Sequence, residues 1–266
     1  MSVGVLLLHG FGGSPASMQP WAGHLAEGGF SIAVPTLPGH GTTWQDMADT
    51  RWPDWYAAAS DALDELRARC DTVAVAGLSM GGALALRLAI ERPSDVSALV
   101  LVNPALASSN RAMALVPLLQ HFVGSVSNDR TMVRKPGVPR MSYERLPLKA
   151  VASLRKLWAD VRPRLGQVEQ PLLLFRSVSD GELSSRLVLD GVASRERREV
   201  LLHDSDHLAT VDNDAGLIFE ESARWLAQAT GASEALGASS GARAAFPAPA
   251  GSRNSSANVA TNTPTG

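Results

Sequence analysis

The chain has 266 residues with 24 basic and 26 acidic side chains, a formal net charge of −2. This balance gives no global positive field, so we expect no nucleic-acid partner. The one cysteine, Cys70, excludes an intramolecular disulfide and a zinc site built from cysteines. The longest early apolar run, residues 5–8, is too short to cross a bilayer and follows no basic segment. We therefore expect neither a signal peptide nor a membrane span, and a soluble cytoplasmic protein.

Short apolar runs alternate with helical patterns along residues 3–230. Strands are predicted at Val3–Leu8, Phe30–Val34, Thr72–Ala76, Ala98–Val102, Pro171–Phe175 and Glu199–Leu202. Helices are predicted at Pro53–Arg69, Met80–Glu91 and Asn213–Ala229. In the first helix, Trp55, Ala59, Leu63 and Leu66 form one apolar stripe. Such alternation predicts an α/β fold with a mostly parallel sheet flanked by helices.

The alternation breaks between Pro104 and Val168, a segment too long for an ordinary loop. We expect residues 104–168 to form a small inserted cap, with residues 1–103 and 169–230 as the core. The segment carries 11 Lys and Arg against three acidic residues. Two interpretations stay open: Arg134, Lys135, Arg140 and nearby basic residues attract the pocket mouth to an anionic lipid surface, or they pair with the acidic core.

The last 36 residues have a different composition. From Gly231 to Gly266, 27 residues are Ala, Gly, Ser, Thr or Pro, and only Leu236, Phe246 and Val259 are large and apolar. So little apolar surface cannot offset the entropy of ordering the chain. Residues 231–266 are predicted to be a disordered tail.

A GxSxG pattern lies where a predicted strand becomes a helix, in Gly77-Leu78-Ser79-Met80-Gly81. A nucleophile elbow needs glycines two positions before and after the serine, because the sharp turn leaves no room for a Cβ there. The alternative is a glycine-rich turn that only packs a helix. We interpret Ser79 as a nucleophile with the Met80 amide beside it at a helix N-terminus.

The first predicted strand ends in His9-Gly10-Phe11-Gly12-Gly13. Acyl transfer needs two convergent N–H donors for the oxyanion, and glycines let this loop bend so that the Phe11 amide joins that of Met80. A phosphate-binding loop is disfavoured because GxxxxGK[ST] is absent from the sequence.

A serine nucleophile requires a base and a carboxylate, in the chain order Ser, acid, His for this kind of sheet. Asp180 follows one predicted strand, and His207 lies in the loop after the next. His207 is preferred to His203 because His203 directly continues its strand. Asp180 is the predicted acid, with Asp204 or Asp206 as the alternative. The remaining histidines, His24, His40 and His121, have no ligand-like spacing, so no metal is assigned.

Together these motifs resemble the α/β-hydrolase superfamily, and within it the bacterial carboxylesterase and monoacylglycerol lipase group. The matching residues are His9-Gly10-Phe11 with Gly13-Ser14-Pro15, Pro38-Gly39-His40-Gly41-Thr42 with Asp46-Met47, Trp52 with Asp54-Trp55, Gly77–Gly82, and His207-Leu208-Ala209-Thr210 with Asp212. The resemblance implies the α/β-hydrolase fold with a small cap over an acyl-chain pocket. It also implies Ser79, Asp180 and His207 as the catalytic triad and the amides of Phe11 and Met80 as the oxyanion hole.

Two features depart from this group. Its members commonly follow the acid with His-Val-Val, whereas Asp180 precedes Gly181-Glu182-Leu183. They also carry strands before the His-Gly strand, without which the 30–34 strand would form an exposed edge. We expect the natural product to start upstream of Met1.

The sequence thus predicts a serine carboxylic ester hydrolase acting through an acyl-enzyme on short to medium acyl esters or monoglycerides, without a cofactor. The apolar stretch Met113–Val123 either lines an alkyl tunnel or packs the cap on the core. Two alternative functions stay open: a serine hydrolase of a thioester, lactone or carbon–carbon bond, and a non-catalytic binding protein of the same fold.

Overall fold

The computed structural model describes residues 2–129 and 132–231, so the predicted tail beyond Gly231 lies outside the described residues. The strands of the described part are β1 (Val3–Leu8), β2 (Ser31–Ala33), β3 (Thr72–Leu78), β4 (Leu99–Val102), β5 (Ser125–Ser127), β6 (Arg145–Pro147), β7 (Leu172–Ser177) and β8 (Arg197–Leu202). Six of them form one parallel sheet in the order β2-β1-β3-β4-β7-β8. The predicted fold class is confirmed.

Helices cover this sheet. They are α1 (Gln19–Glu27), α2 (Trp44–Ala48), α3 (Trp52–Arg67), α4 (Met80–Glu91), α5 (Val116–Leu119), α6 (Leu148–Val161), α7 (Leu183–Gly191) and α8 (Ala215–Ala229). In α3 the predicted stripe is buried, with Trp55, Ala59 and Leu63 fully covered. None of the helices in the described ranges is both long and apolar enough to cross a bilayer.

The four central strands β1, β3, β4 and β7 are buried on both faces, which explains why they are nearly continuous apolar runs rather than alternating ones. The edge strand β8 begins with Arg-Arg-Glu and is mostly exposed. In β1, Leu6 and Leu8 belong to the cluster formed with α3, α4 and α6. Val5 and Leu7 face the opposite cluster, which includes side chains of α1 and α8. The strand positions are therefore fixed by two apolar layers, and the loops at the carboxyl ends of the strands are free to carry function.

Three strands extend further than the sequence predicts, since β8 also begins two residues early at Arg197, and one helix starts later. β3 continues to Leu78 and β7 to Ser177, each two residues past the predicted end. α8 begins at Ala215, two residues later than predicted, and the Asn213 amide before it donates to the Asp212 carboxylate at 2.9 Å. At the opposite side of the sheet from β8, β2 is the edge strand among the described residues.

The segment between β4 and β7, which includes residues 104–168, crosses the carboxyl ends of the strands. It contains α5, the antiparallel pair β5–β6, and α6. α6 buries Leu154, Leu157 and Trp158 in the core cluster, and the Trp52 amide of α3 donates to the Ser153 hydroxyl at 2.8 Å. This segment is therefore attached to the core through apolar and polar contacts.

Candidate active site

Ser79 lies at the sharp turn between β3 and α4. Its φ of 56° is a left-handed backbone conformation that residues other than glycine rarely adopt. A Cβ on Gly77 would lie 2.6 Å from the Gly82 nitrogen, and one on Gly81 would lie 2.9 Å from the His9 carbonyl oxygen. Only glycine fits at both positions, so the sequence pattern reflects a steric requirement of the turn.

Ser79, Asp180 and His207 meet at the carboxyl ends of β3, β7 and β8. The His207 Nε2 lies 2.8 Å from the Ser79 Oγ, and its Nδ1 lies 2.7 Å from an Asp180 carboxylate oxygen. Asp180 closes a short 3-10 turn after β7. The carboxylate favours the tautomer with a proton on Nδ1, which leaves Nε2 free to accept the serine proton.

The other candidate acids and the other candidate base have different surroundings. Asp206 accepts from the Ser179 hydroxyl at 2.7 Å and from the Arg134 guanidinium at 2.9 Å. The Ser179 hydrogen bond and the charge of Arg134 lower the pKa of Asp206. Asp204 is mostly exposed, and the exposed His203 contributes its carbonyl to Arg134. Of the candidate acids, Asp180 is the one placed against the imidazole.

The amides of Phe11 and Met80 belong to the two segments next to Ser79, the loop after β1 and the first turn of α4. A Cβ on Gly10 would lie 3.3 Å from the Ser79 Cβ, which shows how closely the loop approaches the serine. Neither amide donates to another residue of the described chain. Both are available to an oxyanion formed at Ser79.

His9 orients this loop, a function that the sequence pattern alone did not assign to it. Its Nε2 accepts the Leu37 amide at 3.2 Å, so its Nδ1 carries the proton and donates to the Gly10 carbonyl at 3.0 Å. The Gly10 carbonyl and the Phe11 N–H belong to one planar trans peptide and point in opposite directions. Fixing the carbonyl therefore fixes the direction of the Phe11 donor.

His9 and His40 are both buried and uncharged. Burial lowers the pKa of His9 to about 3, with the neighbouring His40 as a second cause. Burial likewise lowers the pKa of His40 to about 4. Their ring centroids are 5.2 Å apart, and His40 also contacts Phe11 and Trp55 edge to face. The two imidazoles therefore pack against each other and support the loop that follows β1 and carries Phe11.

Asp212 connects the His207 loop to the segment between β4 and β7. Its buried carboxylate accepts four backbone amides, those of Arg134, Lys135, Asp206 and Asn213, at 2.8 to 2.9 Å. The Leu208 amide donates to the Met132 carbonyl at 2.9 Å. The residues on both sides of His207 are thus held by hydrogen bonds.

Two pockets open at Ser79. The larger, of about 470 Å³, is lined by residues including Pro104, Ala107, Ser108, Trp158, Glu182 and Leu183. The smaller, of about 40 Å³, is lined by Phe11, Met132, Met141 and Leu208 among others. In the Met113–Val123 stretch, Val116 is buried against Leu148 and Val151, whereas Leu118 and Phe122 are 62% and 80% exposed.

Comparison with known proteins places the chain in a family. A sequence model described as the alpha/beta hydrolase family matches residues 5–247. The chain belongs to the alpha/beta hydrolase family. Among family members, the thermostable monoacylglycerol lipase of Bacillus sp. (strain H-257) is 35% identical over 237 residues, 86% of this chain and 92% of the relative. The carboxylesterase of Bacillus subtilis (strain 168) is 24% identical over 229 residues, 82% and 89% of the two chains.

A solved structure from a study of LipS and LipT, two metagenome-derived lipolytic enzymes, has a TM-score of 0.82 and 33% identity to this hydrolase. The match covers 85% of this chain and 94% of the other. The resemblance to the bacterial carboxylesterase and monoacylglycerol lipase group is therefore confirmed. In the part of this hydrolase that the structure describes, no group of three or more His, Cys, Asp or Glu side chains is arranged to hold a metal ion.

Proposed function

We propose that this protein hydrolyses carboxylic esters of fatty acids, monoacylglycerols above all, with Ser79, His207 and Asp180 as the catalytic triad. The observation that supports this most is the continuous hydrogen-bonded chain from Asp180 through His207 to Ser79, at 2.7 and 2.8 Å. It ends at a serine that the elbow holds next to two free amides. The similarity to a monoacylglycerol lipase and a carboxylesterase supports the substrate class.

In the first step, His207 Nε2 takes the proton of the Ser79 hydroxyl as Oγ forms a bond to the ester carbonyl carbon. The carbonyl oxygen becomes an oxyanion, to which the Phe11 and Met80 amides donate. When the tetrahedral intermediate collapses, the bond to the alcohol oxygen breaks. His207 returns its proton to that oxygen, the alcohol leaves, and the acyl group stays on Ser79.

In the second step, water replaces the alcohol. His207 removes a proton from the water as its oxygen attacks the acyl carbon, and the same two amides hold the second oxyanion. Collapse breaks the bond to Ser79 Oγ, which regains its proton from His207, and the fatty acid leaves. Throughout, Asp180 keeps the imidazole in one tautomer and stabilises its charged form.

The larger pocket at Ser79 supports this substrate class by its volume of about 470 Å³ and by its mixed lining, in which Trp158 and Leu183 lie beside serine hydroxyls and Glu182. Each methylene that leaves water contributes about 0.8 kcal/mol. We therefore expect kcat/KM to rise with acyl length until the pocket is filled, in a series of nitrophenyl esters and 1-monoacylglycerols.

The decisive test compares the wild type with Ser79→Ala in that series and in labelling by a fluorophosphonate probe. The expected result is hydrolysis and a single labelled peptide containing Ser79 in the wild type, and neither in the variant. Ser222→Ala is a matched control, since it removes another buried serine hydroxyl, on α8. An active Ser79→Ala protein would refute the proposal, and an unlabelled, inactive wild type would favour a binding protein.

The identity of the acid is tested separately. Asp180→Asn should reduce kcat by about 10⁴, because an amide at this position favours the wrong imidazole tautomer. Asp206→Asn should reduce kcat far less, since that carboxylate contacts Ser179 and Arg134 instead of the imidazole. The opposite order of effects would transfer the role of acid to Asp206.

We propose further that residues 104–168 act as a cap that contacts anionic lipid surfaces. Leu115, Leu118 and Phe122 form an exposed apolar patch around α5, and the basic residues Arg111, Arg145 and Lys149 are exposed on neighbouring elements. An amphipathic surface of this kind fits the interface of an anionic membrane leaflet. A cytoplasmic location, where that leaflet is found, stays a prediction.

Two of the three basic residues named from the sequence, Arg134 and Arg140, form contacts inside the protein. Arg134 forms an ion pair with Asp206 at 2.9 Å, and Arg140 donates to backbone carbonyls, including that of Ser142 at 2.9 Å. Their charges are partly used inside the fold. Lipid contact is therefore expected at the α5 patch rather than at Arg134 and Arg140.

A further inference from the structure

We infer that Asn103 is a positioning residue that holds the acid and the base of the triad in register. It is the residue directly after β4, between the strands that lead to Ser79 and to Asp180. It is 2% exposed, and its φ of 42° is left-handed. Asparagine tolerates this conformation better than most residues, and strain of this kind persists only where the surroundings enforce it.

The side-chain amide of Asn103 forms hydrogen bonds with two segments, Ser177 at the end of β7 and residues 206–207 in the loop after β8. Its Oδ1 accepts the Ser177 backbone N–H at 2.7 Å. Its Nδ2 lies 2.9 Å from the Ser177 hydroxyl, 3.0 Å from the His207 carbonyl and 3.3 Å from the Asp206 carbonyl. Because an amide N–H only donates and a carbonyl only accepts, these contacts also fix which way the amide is turned.

Ser177 completes the link. It is the last residue of β7, three positions before Asp180, and it is fully buried. Its hydroxyl accepts from Asn103 Nδ2 and donates to the Asp206 carbonyl at 2.8 Å. One side chain therefore ties the strand that presents the acid to the backbone of the loop that presents the base.

The backbone of residues 102 and 103 is also hydrogen-bonded to β7 and to the turn that carries Ser79. The backbone N–H of Asn103 donates to the Phe175 carbonyl of β7 at 2.9 Å. The carbonyl of the preceding Val102 accepts the backbone N–H of Ser79 at 3.0 Å. The backbone at 102–103 thus bridges the elbow and β7, and the side chain of Asn103 extends that bridge to His207. A displacement of about 1 Å in a triad of this kind costs up to about a hundredfold in rate.

Asn103→Gly tests this inference, which rests on the proposed function. Glycine keeps the left-handed backbone without strain and removes the side chain with its amide. The expected result is a fall of about tenfold or more in kcat per active site, with KM within about threefold. The rate of phosphonylation by a fluorophosphonate should fall in parallel, and active sites should be counted by complete labelling so that unfolded protein does not contribute.

Gln170→Ala is the matched control. Gln170 is a buried amide at the opposite, amino end of β7, where its Nε2 donates to the Ala89 carbonyl at 3.2 Å. It should lower the melting temperature while leaving kcat per labelled site unchanged. A merely structural role for Asn103 would give the same pattern in Asn103→Gly, and that result would overturn the inference.

If Asn103→Gly does not fold, Ser177→Ala decides, since it removes one link of the same network and should lower kcat in the same direction by a smaller factor. A Ser177→Ala protein with wild-type kcat per site would then overturn the inference. Loss of the proposed function has a different signature, because the wild type itself would neither hydrolyse esters nor react with the probe.

Discussion

The Tyr143 hydroxyl donates to the Gly39 carbonyl at 3.0 Å and accepts the Thr42 amide at 2.9 Å. The Tyr143 amide also donates to the Gly12 carbonyl at 2.9 Å, and the Gly41 amide to the Gly13 carbonyl at 3.2 Å. Tyr143 therefore joins the segment between β4 and β7 to both loops that surround Phe11. The Phe11 amide, the proposed oxyanion donor, is held partly from outside the core sheet.

We predict that Tyr143→Phe lowers kcat by about three- to tenfold with little change in KM. The variant loses two neutral hydrogen bonds, each with a net value of about 1 kcal/mol, and keeps the ring and the backbone bond to Gly12. Steady-state kinetics on a nitrophenyl ester measure the effect. Wild-type kcat would show that the loops hold the Phe11 amide without the hydroxyl.

Stability should depend on pH through His9 and His40. Both have a folded-state pKa, about 3 and about 4, below the ordinary value near 6.5. The unfolded chain therefore binds more protons between those values, and the free energy of unfolding falls as pH drops from about 6.5 to 4. The slope is up to about 1.4 kcal/mol per pH unit for each histidine.

Urea unfolding at pH 7, 6, 5 and 4 measures this slope. His40→Phe should reduce it by about half, because phenylalanine suits the aromatic surroundings of His9, Phe11 and Trp55 and binds no proton. The exposed His121 serves as a control, and His121→Gln should leave the slope unchanged. An unaltered slope in His40→Phe would contradict the assignment.

Alanine at the elbow glycines should prevent folding. In Gly77→Ala the new methyl would lie 2.6 Å from the Gly82 nitrogen, and backbone atoms cannot move away as a side chain can. We expect a loss of more than about 4 kcal/mol, in the range reserved for severe core changes. Gly23→Ala is the control, since its methyl meets nothing within 4 Å and should stabilise α1 by about 0.5–1 kcal/mol. Soluble yield and urea denaturation distinguish the two.

Asp212→Asn should be strongly destabilising, by about 3 kcal/mol or more. Each oxygen of the Asp212 carboxylate accepts two backbone N–H groups, so an asparagine would place its NH2 group against two other donors. The hydrogen bonds lost are to a charged group and contribute about 1.5–3 kcal/mol each. Hydrogen exchange should show faster opening at Arg134 and Lys135. Asp214→Asn, which alters an exposed bond to the Asp204 amide, should cost less than about 1 kcal/mol.

Binding to vesicles tests the α5 patch. The double variant Leu118→Ser and Phe122→Ser should bind anionic vesicles at least about tenfold more weakly, since burying each side chain is worth about 1.5–3 kcal/mol. Leu201→Ser changes an exposed leucine on β8 and should bind like the wild type. Binding to anionic vesicles should also weaken from low to high salt, and binding that is independent of salt would remove the basic residues from the interaction.

Local patterns in the sequence predict much of this molecule. The GxSxG turn can be recognised in the sequence because no residue larger than glycine fits at positions 77 and 81. Asp180 and His207 can be recognised because each follows a later strand of the sheet, in the order expected after the serine. The four central strands of the sheet are predictable in the same way, since buried parallel strands are short apolar runs. These features depend on neighbours in the chain or on composition.

The residues that the sequence did not reveal act through distant backbone groups. Asn103 contacts residues 74 and 104 positions away, and Tyr143 contacts Gly39 over 104 positions. Such pairs leave no spacing that a single sequence can show. The three-residue strands β5 and β6 are likewise too short for a periodic pattern, and the apolar stretch at 113–123 divides into buried Val116 and exposed Phe122 only through its packing.

The four amides gathered by Asp212 also constrain how a substrate reaches the serine. A swing of residues 134–135 away from the core would pull on Asp206 and so displace the imidazole next to it. Entry by that route would disturb the imidazole that we propose as the base. The passage that leaves this imidazole in place runs past Ser108 and Leu183, where the larger pocket opens.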